Sequence, residues 1–327
     1  MLAVEAWVFV GASYALIAFA YLWPPDFRNE SPSYVGVAWT AFLVRTFIFH
    51  FGLVLVLIAA VAACVRYWRL LGAAMPLVLV TIGPTCWQFR PRSRPAVVDE
   101  TVTVMSVNLL MINEYTEPII DEIRGVNPDV LLLQEYANHW HDALQASIGQ
   151  DYPHIAHERR EDSFGTAIYS RRPFTERVNL GVPLGEATEP QMRAVVRISG
   201  RDVAFYNIHL LPPWGLEYTI ENRSQFADLL DVLSAEKLPF VLAGDFNFTE
   251  RSPNASALRR LGLLDTHRLA GWGRGTTWPV SSFFRWIPSI RLDHIYLGGG
   301  LTCAMHRTGV GRGSDHRPVI AEIGFAQ

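Results

Sequence analysis

The apolar run of LAGDFNFT (242–249) closes on Asp245 and Asn247, a carboxylate and a carboxamide two positions apart. On an extended segment that spacing turns both side chains to one face. There they could hold a metal, a water or a phosphate oxygen, or simply form a polar turn after a buried strand. A polar group where an apolar run stops recurs along the chain: Asn108 in MSVNLL, Glu135 in LLLQEY, His209 in YNIHLL, Asp293 and His294 in RLDHIY, Asp315 and His316 in GSDHRP. Taken singly, each has a structural explanation. Glu135 suits the positive end of a helix dipole, Asn108 a turn, and His209 a satisfied core position. Their repetition points elsewhere, because strand ends in open α/β sheets face a common crevice in which ligands bind.

The elements that must carry these residues are legible from periodicity. TVTVMSVNLL (101–110) alternates and is rich in β-branched residues, which predicts a strand. DVLLLQE (129–135) and PFVLAGDF (239–246) are uninterrupted apolar runs of strand length, predicting strands buried on both faces. AIYS, RAVVRIS, VAFYNIHL, RLDHIYL and RPVIAEI add further strands. Helices are predicted from Glu117 to Arg124, carrying Ile119, Ile120 and Ile123, and from Tyr218 to Glu236, with Phe226, Leu229, Leu230 and Leu233 in one stripe. The pattern predicts an α/β sandwich, two packed sheets with helices outside. No internal repeat or low-complexity tract interrupts it.

The chain has 327 residues, half of them hydrophobic, and the excess sits at the front. Ala6–Pro25, Thr46–Val65 and Leu70–Phe89 are windows of 20 residues without a charge. That is the length that crosses a bilayer's hydrocarbon core as a helix. They predict a membrane anchor over residues 1–89 with three transmembrane helices, at about 6–25, 46–65 and 70–89. The first window has no basic n-region, so it reads as a retained anchor and not as a signal peptide. RYWR (66–69) makes a tight hairpin of helices two and three. Residues 90–100 read as a Pro- and Arg-rich linker, and 101–327 as one soluble domain, the catalytic domain if the strand-end residues do chemistry.

From Ala96 onward the chain carries 21 basic residues, 20 of them Arg, against 28 acidic ones, a net charge of −7. That total lacks the basic footprint of a duplex nucleic-acid binder. Cys64 and Cys86 fall in membrane windows and Cys303 stands alone, a packing residue; neither a disulfide framework nor a CxxC metal site is present. Rival hydrolase motifs are missing too. There is no G-x-S-x-G elbow, HERRE (157–161) lacks the second histidine of a zincin, and no phosphate-binding P-loop occurs.

In the order and setting of VNLL, LLQE, IHL, GDFN, LDHI and SDHRPV, the chain resembles the endonuclease/exonuclease/phosphatase (DNase I-like) superfamily. It is most similar to bacterial members with a hydrophobic N-terminal region, including the segment TTWP (276–279). The resemblance implies hydrolysis of a phosphodiester or phosphomonoester with Mg²⁺ or Mn²⁺. Glu135, with Asn108 and Asp315 nearby, would hold the metal, a cation that takes few protein oxygens and keeps several waters. Asp245 would orient or deprotonate the attacking water, and Asn247 would hold that water or a phosphate oxygen. His316 would donate to a non-bridging oxygen, with Asp293 fixing its tautomer. His209 would be the second phosphate donor and the acid for the leaving group, a task that Tyr169 would share. His294 is a scaffold residue.

The favoured substrate is a lipid or small phosphoester. A nuclease is the alternative within enzymes, and a catalytically idle binding or scaffold module the alternative outside them. Against idleness, Glu135, Asp245, Asp293 and His316 are all present. Trp278, Phe283, Phe284, Trp286 and Ile287 crowd one loop, which either plugs into its own core or touches lipid or substrate over 278–287. Trp214 and Trp272 would line the same cleft. As for the face of the membrane, five arginines (28, 45, 90, 92 and 94) against two (66 and 69) favour a cytoplasmic domain. The tight basic loop 66–69 is hard to translocate, however, and Arg45 fits an interfacial helix around AFLVRTF. The expectation is an extracytoplasmic domain on a multi-pass anchor in a bacterial cell membrane.

Overall fold

The computed structural model describes residues 2–90, 100–186, 188–280 and 287–326. Four helices come first: α1 (Leu2–Leu22), α2 (Pro32–Thr46), α3 (Ile48–Cys64) and α4 (Trp68–Trp87). Then follow β1 (Val102–Asn108), α5 (Glu117–Val126), β2 (Val130–Gln134), α6 (Asn138–Ile148), β3 (His154–Glu158), β4 (Thr166–Ser170), β5 (Met192–Ile198), β6 (Arg201–His209) and α7 (Gly215–Ala235). The chain closes with β7 (Phe240–Asp245), α8 (Pro253–Arg260), β8 (Leu264–Asp265), α9 (Thr266–Ala270), β9 (Asp293–Gly298), β10 (Leu301–Thr308) and β11 (Val319–Phe325).

The strands form a six-stranded sheet, β10-β11-β1-β2-β4-β3, and a five-stranded one, β5-β6-β7-β9-β8. This is the two-layer α/β sandwich the periodicity predicts. Alternation along each strand decides the layers. Val130 and Leu132 of β2 meet Val241 and Ala243 of β7 in the core between the sheets. Leu131 and Leu133 point outward to Ile119, Ile123 and Trp140 of α5 and α6. Phe240 and Leu242 point the other way, to Phe226, Leu229 and Leu258 of α7 and α8. Both apolar strands are therefore buried on both faces, as an uninterrupted apolar run requires.

In the N-terminal part, Ala3–Leu22 and Trp68–Trp87 are long and apolar enough to cross a membrane. α2 and α3 reach that measure only together, as a pair bent by 58°. The second apolar window thus holds a helix of 17 residues, preceded by a separate helix that contains the AFLVRTF stretch and extends back to Pro32. Arg45, two residues before the break at Phe47, is bonded to the C-terminal part of the chain. Its Nε donates to the Arg251 carbonyl at 2.5 Å and its Nη2 to Ser256 Oγ at 3.1 Å. Further bonds join the two parts. Arg28 pairs with Asp228 and Asp231 of α7, each at 2.5 Å. Trp39 Nε1 donates to Pro213 O at 3.0 Å, His50 Nε2 lies 2.7 Å from Pro288 O, and Gly273 N donates to Gln88 O at 2.9 Å. Of the expected linker, residues 91–99 lie outside the described residues.

Candidate active site

The sheet topology explains why polar residues scattered over two hundred positions meet. At the centre of each sheet one pair is parallel, β1 with β2 and β6 with β7, so all four strands end at the same rim. Asn108, Glu135, His209 and Asp245 stand at or just past those ends. β9 and β11 run antiparallel to their neighbours and therefore start there. Asp293 opens β9, opposite Asp245 in register, and Ser314–His316 precede β11.

Local backbone choices sharpen the convergence. Gly244 has φ +142°, and a Cβ there would sit 1.8 Å from the Ile208 carbonyl oxygen. Only glycine lets β7 approach β6 this closely one residue before Asp245. Glu135 lies in the left-handed region at φ 57°, a conformation that costs an L-residue roughly 1–2 kcal/mol. Two hydrogen bonds fix its side chain: Asn108 Nδ2 donates to Oε1 and Met111 N to Oε2, both at 2.9 Å. The extended register ends at Asp245, so the same-face expectation for Asn247 fails. Asn247 has φ 52°, its N–H donates to Asp245 Oδ1 at 3.0 Å, and its side-chain amide donates to Leu210 O at 2.9 Å. It braces Asp245 through a turn, where an asparagine tolerates positive φ.

Asp245 is the hub. Its Oδ2 accepts from Asn108 Nδ2 at 3.2 Å and faces His209 Nε2 at 3.7 Å and His316 Nε2 at 3.6 Å. The other nitrogen of His316, Nδ1, is 2.8 Å from Asp293 Oδ2. Burial works against charge on His316, but Asp293 and Asp245 outweigh it and push its pKa up to about 10. Burial, reinforced by the Asp245 charge, raises Asp293, and the bonded pair titrates as one unit. His294 behaves differently. Burial, then the Arg291 charge, pulls it down to about 4, and its Nε2 bonds Phe248 O at 2.9 Å, so it stays neutral and structural.

The donor set fits a hard divalent cation. Glu135 and Asp315 supply carboxylate oxygens, the type that Mg²⁺ prefers, and Asn108 stands beside Glu135 with its Nδ2 turned to that carboxylate and its Oδ1 accepting from Leu110 N at 3.0 Å. Asp315 Oδ2 accepts from Trp278 Nε1 at 3.0 Å, while its buried Oδ1 has no hydrogen-bond partner among the described residues. A buried acceptor left so costs free energy that a cation would recover. Asp245, Asp293 and His316 also bring ligand atoms within 4.8 Å of one another. With both ring nitrogens facing carboxylates and the pKa raised, His316 offers N–H donors and no lone pair there. Within that trio His316 is arranged as a hydrogen-bond donor, while Asp245 and Asp293 supply carboxylate oxygens of the kind that ligate a cation.

Tyr169 is not brought to the rim. It sits mid-strand in β4, opposite Leu131, in the layer covered by α5 and α6. Its hydroxyl is 2.6 Å from that of Tyr136 and accepts from Gln145 Nε2 at 3.1 Å. Nor do the tryptophans share a cleft: Trp272 packs edge-on against Phe89 after α4, and Trp214, 73% exposed, precedes α7. Of the aromatic loop, Phe283, Phe284 and Trp286 lie outside the described residues. Three positions that support the site escaped the sequence reading. Ser314 Oγ donates to Asn108 O at 2.8 Å and accepts from His316 N at 3.0 Å. Thr277 Oγ1 accepts from Leu292 N and Asp293 N. Gln191 brackets His209, accepting from its N–H and donating to its carbonyl, both at 2.8 Å. Single hydroxyls and amides inside loops carry no periodic signal; the S of SDHRP and the second T of TTWP were the visible clues.

The chain is thus a two-sheet α/β sandwich with Asn, Glu, Asp and His side chains gathered at one rim. The model of the Endonuclease/Exonuclease/phosphatase family matches residues 105–316, more than half of the chain, and the protein belongs to that family. Among solved structures, an endonuclease/exonuclease/phosphatase from Beutenbergia cavernae is 20% identical with a TM-score of 0.57, covering 70% of this chain and 72% of its own. Humanized D. rerio TDP2 is 18% identical with a TM-score of 0.56, covering 68% and 99%. The human Nocturnin catalytic domain, with bound sulfate, is 21% identical with a TM-score of 0.54, covering 71% and 97%. At these identities the likeness is one of fold. No curated protein matches the chain.

Proposed function

We propose that this chain is a membrane-anchored, divalent-metal-dependent phosphoesterase whose substrate is a phosphoester at the membrane surface, a lipid in the first instance. One observation carries the choice of substrate: the loops leaving the catalytic rim are bonded to the ends of the apolar helices. Arg251, four residues past Asn247, accepts from Arg45, and Pro288, five before Asp293, meets His50 in the first turn of α3. Aromatic side chains mark both ends of the helical bundle. Trp7 Nε1 donates to Tyr67 OH at one end, while Tyr21, Trp23 and Trp87 stand at the other. Trp68 to Trp87 spans roughly 28 Å as a helix, close to the thickness of a hydrocarbon core, and Trp and Tyr prefer its two interfaces.

A metal held by Glu135, Asn108 and Asp315 would neutralise charge on the phosphoryl group. Asp245 accepts a proton from the attacking water, its carboxylate aimed by Asn247 N–H and Asn108 Nδ2. His316, kept cationic by Asp293, donates Nε2–H to a non-bridging oxygen. His209, whose ring lies against Phe164 and whose buried Nδ1 has no partner among the described residues, is the second donor and gives its proton to the departing ester oxygen as the P–O bond to it breaks. On this reading the catalytic domain faces the extracytoplasmic side. One of the five arginines opposing that choice, Arg28, is neutralised within the protein by its ion pairs with Asp228 and Asp231. Reporter fusions after Gln327, active outside or fluorescent inside, decide the face.

The full-length protein in nanodiscs should hydrolyse at least one phospholipid or small phosphodiester with Mg²⁺ or Mn²⁺ and lose that activity in EDTA. Activity confined to single-stranded nucleic acid would replace the lipid reading with a nuclease. Inactivity across phospholipids, sphingomyelin, inositol phosphates, nucleotide esters and nucleic acids would point to a binding module.

A further inference from the structure

Beside the catalytic rim, where the ends of α1 and α4 meet the loop after β7 and helices α8 and α9, lies a cavity of about 720 Å³. Its volume falls in the range of roughly 300–1,000 Å³ typical of ligand sites. Four guanidinium groups line it, from Arg45, Arg251, Arg259 and Arg268. Among the described residues none of the four makes an ion pair. One carboxylate, Glu250, shares the lining, and its Oε2 lies 3.8 Å from Arg291 Nε. Arg45 and Arg259 are tethered to the wall by neutral groups: Arg45 to Arg251 O and Ser256 Oγ, Arg259 to Glu250 O and Ser256 Oγ. Burial, then the charge of Arg268, depress the Arg259 guanidinium, so the cluster is under mutual repulsion. An excess of partly buried positive charge is costly unless an anion enters it.

The location selects the anion. Tyr21, one residue from the end of α1, and Trp87, the last residue of α4, form the opposite wall. Aromatic residues at helix ends sit at headgroup level, and basic pockets beside membrane helices receive anionic headgroups. Guanidinium groups offer planar paired donors that match phosphate oxygens. We propose that this cavity is a non-catalytic site for the phosphate of an anionic lipid headgroup, which enters from the bilayer and locks the catalytic domain onto its anchor. The proposal rests on the membrane-anchor reading and is independent of which phosphoester the rim hydrolyses.

Full-length protein in detergent micelles tests it by thermal unfolding with short-chain phosphatidylglycerol, phosphatidylcholine or inorganic phosphate added. Phosphatidylglycerol should raise Tm by roughly 3 °C or more, and the R251Q/R268Q variant should lose that rise. The R251K/R268K variant keeps the charge and should retain part of it, which separates anion binding from a folding defect. An equal rise with phosphatidylcholine, an equal rise with inorganic phosphate, or none with any of the three overturns the proposal. Release of the wild-type protein from membranes by alkaline carbonate would instead sink the anchor reading, an outcome read without any lipid addition.

Discussion

Two buried acid–base pairs lie side by side around the start of β9, and only one of them is equipped to react. Arg291 and Asp293 are two residues apart, at the entry to β9. Arg291 pairs with Asp265 through Nη1 at 3.1 Å and Nη2 at 2.7 Å, both side chains 1% exposed. Asp293 meets His316 through a single contact of 2.8 Å. In the first pair the cation cannot give up its proton, and the Asp265 carboxylate is held well below its usual range: burial opposes this, the Arg291 charge wins. In the second, the base can change state and its free edge faces a third carboxylate, Asp245. Closing every bond within a pair makes structure; leaving one nitrogen turned toward a crevice makes chemistry available.

The largest effect should come from the closed pair. Arg291→Gln strands Asp265, which also caps α9 through His267 N, as a buried charge. Breaking such a pair costs roughly 3–5 kcal/mol, so thermal unfolding of the variant should begin well below that of the wild type. A Tm within two or three degrees of wild type would mean that the pair contributes nothing net. The open site should respond in the opposite sense. Glu135→Ala and Asp245→Ala should each lower turnover by about 10²-fold or more while Tm stays near the wild-type value. Hydrolysis surviving in either variant, or in excess EDTA, would undo the assignment.

A smaller and pH-dependent effect distinguishes the Asp293–His316 pair. The raised pKa of about 10 means that imidazolium persists through neutral pH and is lost only as pH climbs through that value. Asp293→Asn removes the neighbour that raises it most. The alkaline limb of the pH–rate profile should then move down by at least one unit, with activity at pH 6 affected least. An unmoved limb would show that His316 does not act as a cation.

These contrasts also show what a sequence reveals. The two-sheet frame was legible because burial on both faces leaves uninterrupted apolar runs at β2 and β7, and half-burial leaves alternation at β1. Most of the rim was legible because parallel strands must end together, so polar residues closing apolar runs were bound to converge. What stayed hidden depends on single contacts. The turn that swings Asn247 away from the strand face comes from a positive φ and an Asx bond, neither of which alters hydropathy. α2 was anticipated only around AFLVRTF; its extent back to Pro32 stayed hidden, and its partners lie far along the chain, Arg251 and Ser256 for Arg45 and Pro213 for Trp39. β10 escaped because LTCAMHRT neither alternates cleanly nor forms an apolar run; its partner β11 supplies the pairing, across a register shift between Cys303 and Met305.

Tyr169 offers the finest test, since a tyrosine in a strand reads the same whether its ring faces the crevice or the helices. A one-residue change of register would exchange the two faces. Its neighbour in sequence, Ile168, packs into the core between the sheets, so the Tyr169 ring must point to the helix-covered side, where it meets Tyr136 and Tyr152. Burial raises the pKa of its hydroxyl above the ordinary tyrosine value, and that hydroxyl is engaged by Tyr136 and Gln145. Tyr169→Phe should therefore leave turnover within about twofold of wild type and cost about 1 kcal/mol of stability, the worth of one buried hydrogen bond. A tenfold fall in turnover with slow leaving groups, and none with activated ones, would show that the hydroxyl reaches the leaving group after all. It would also mean that β4 pairs in a different register when substrate is bound.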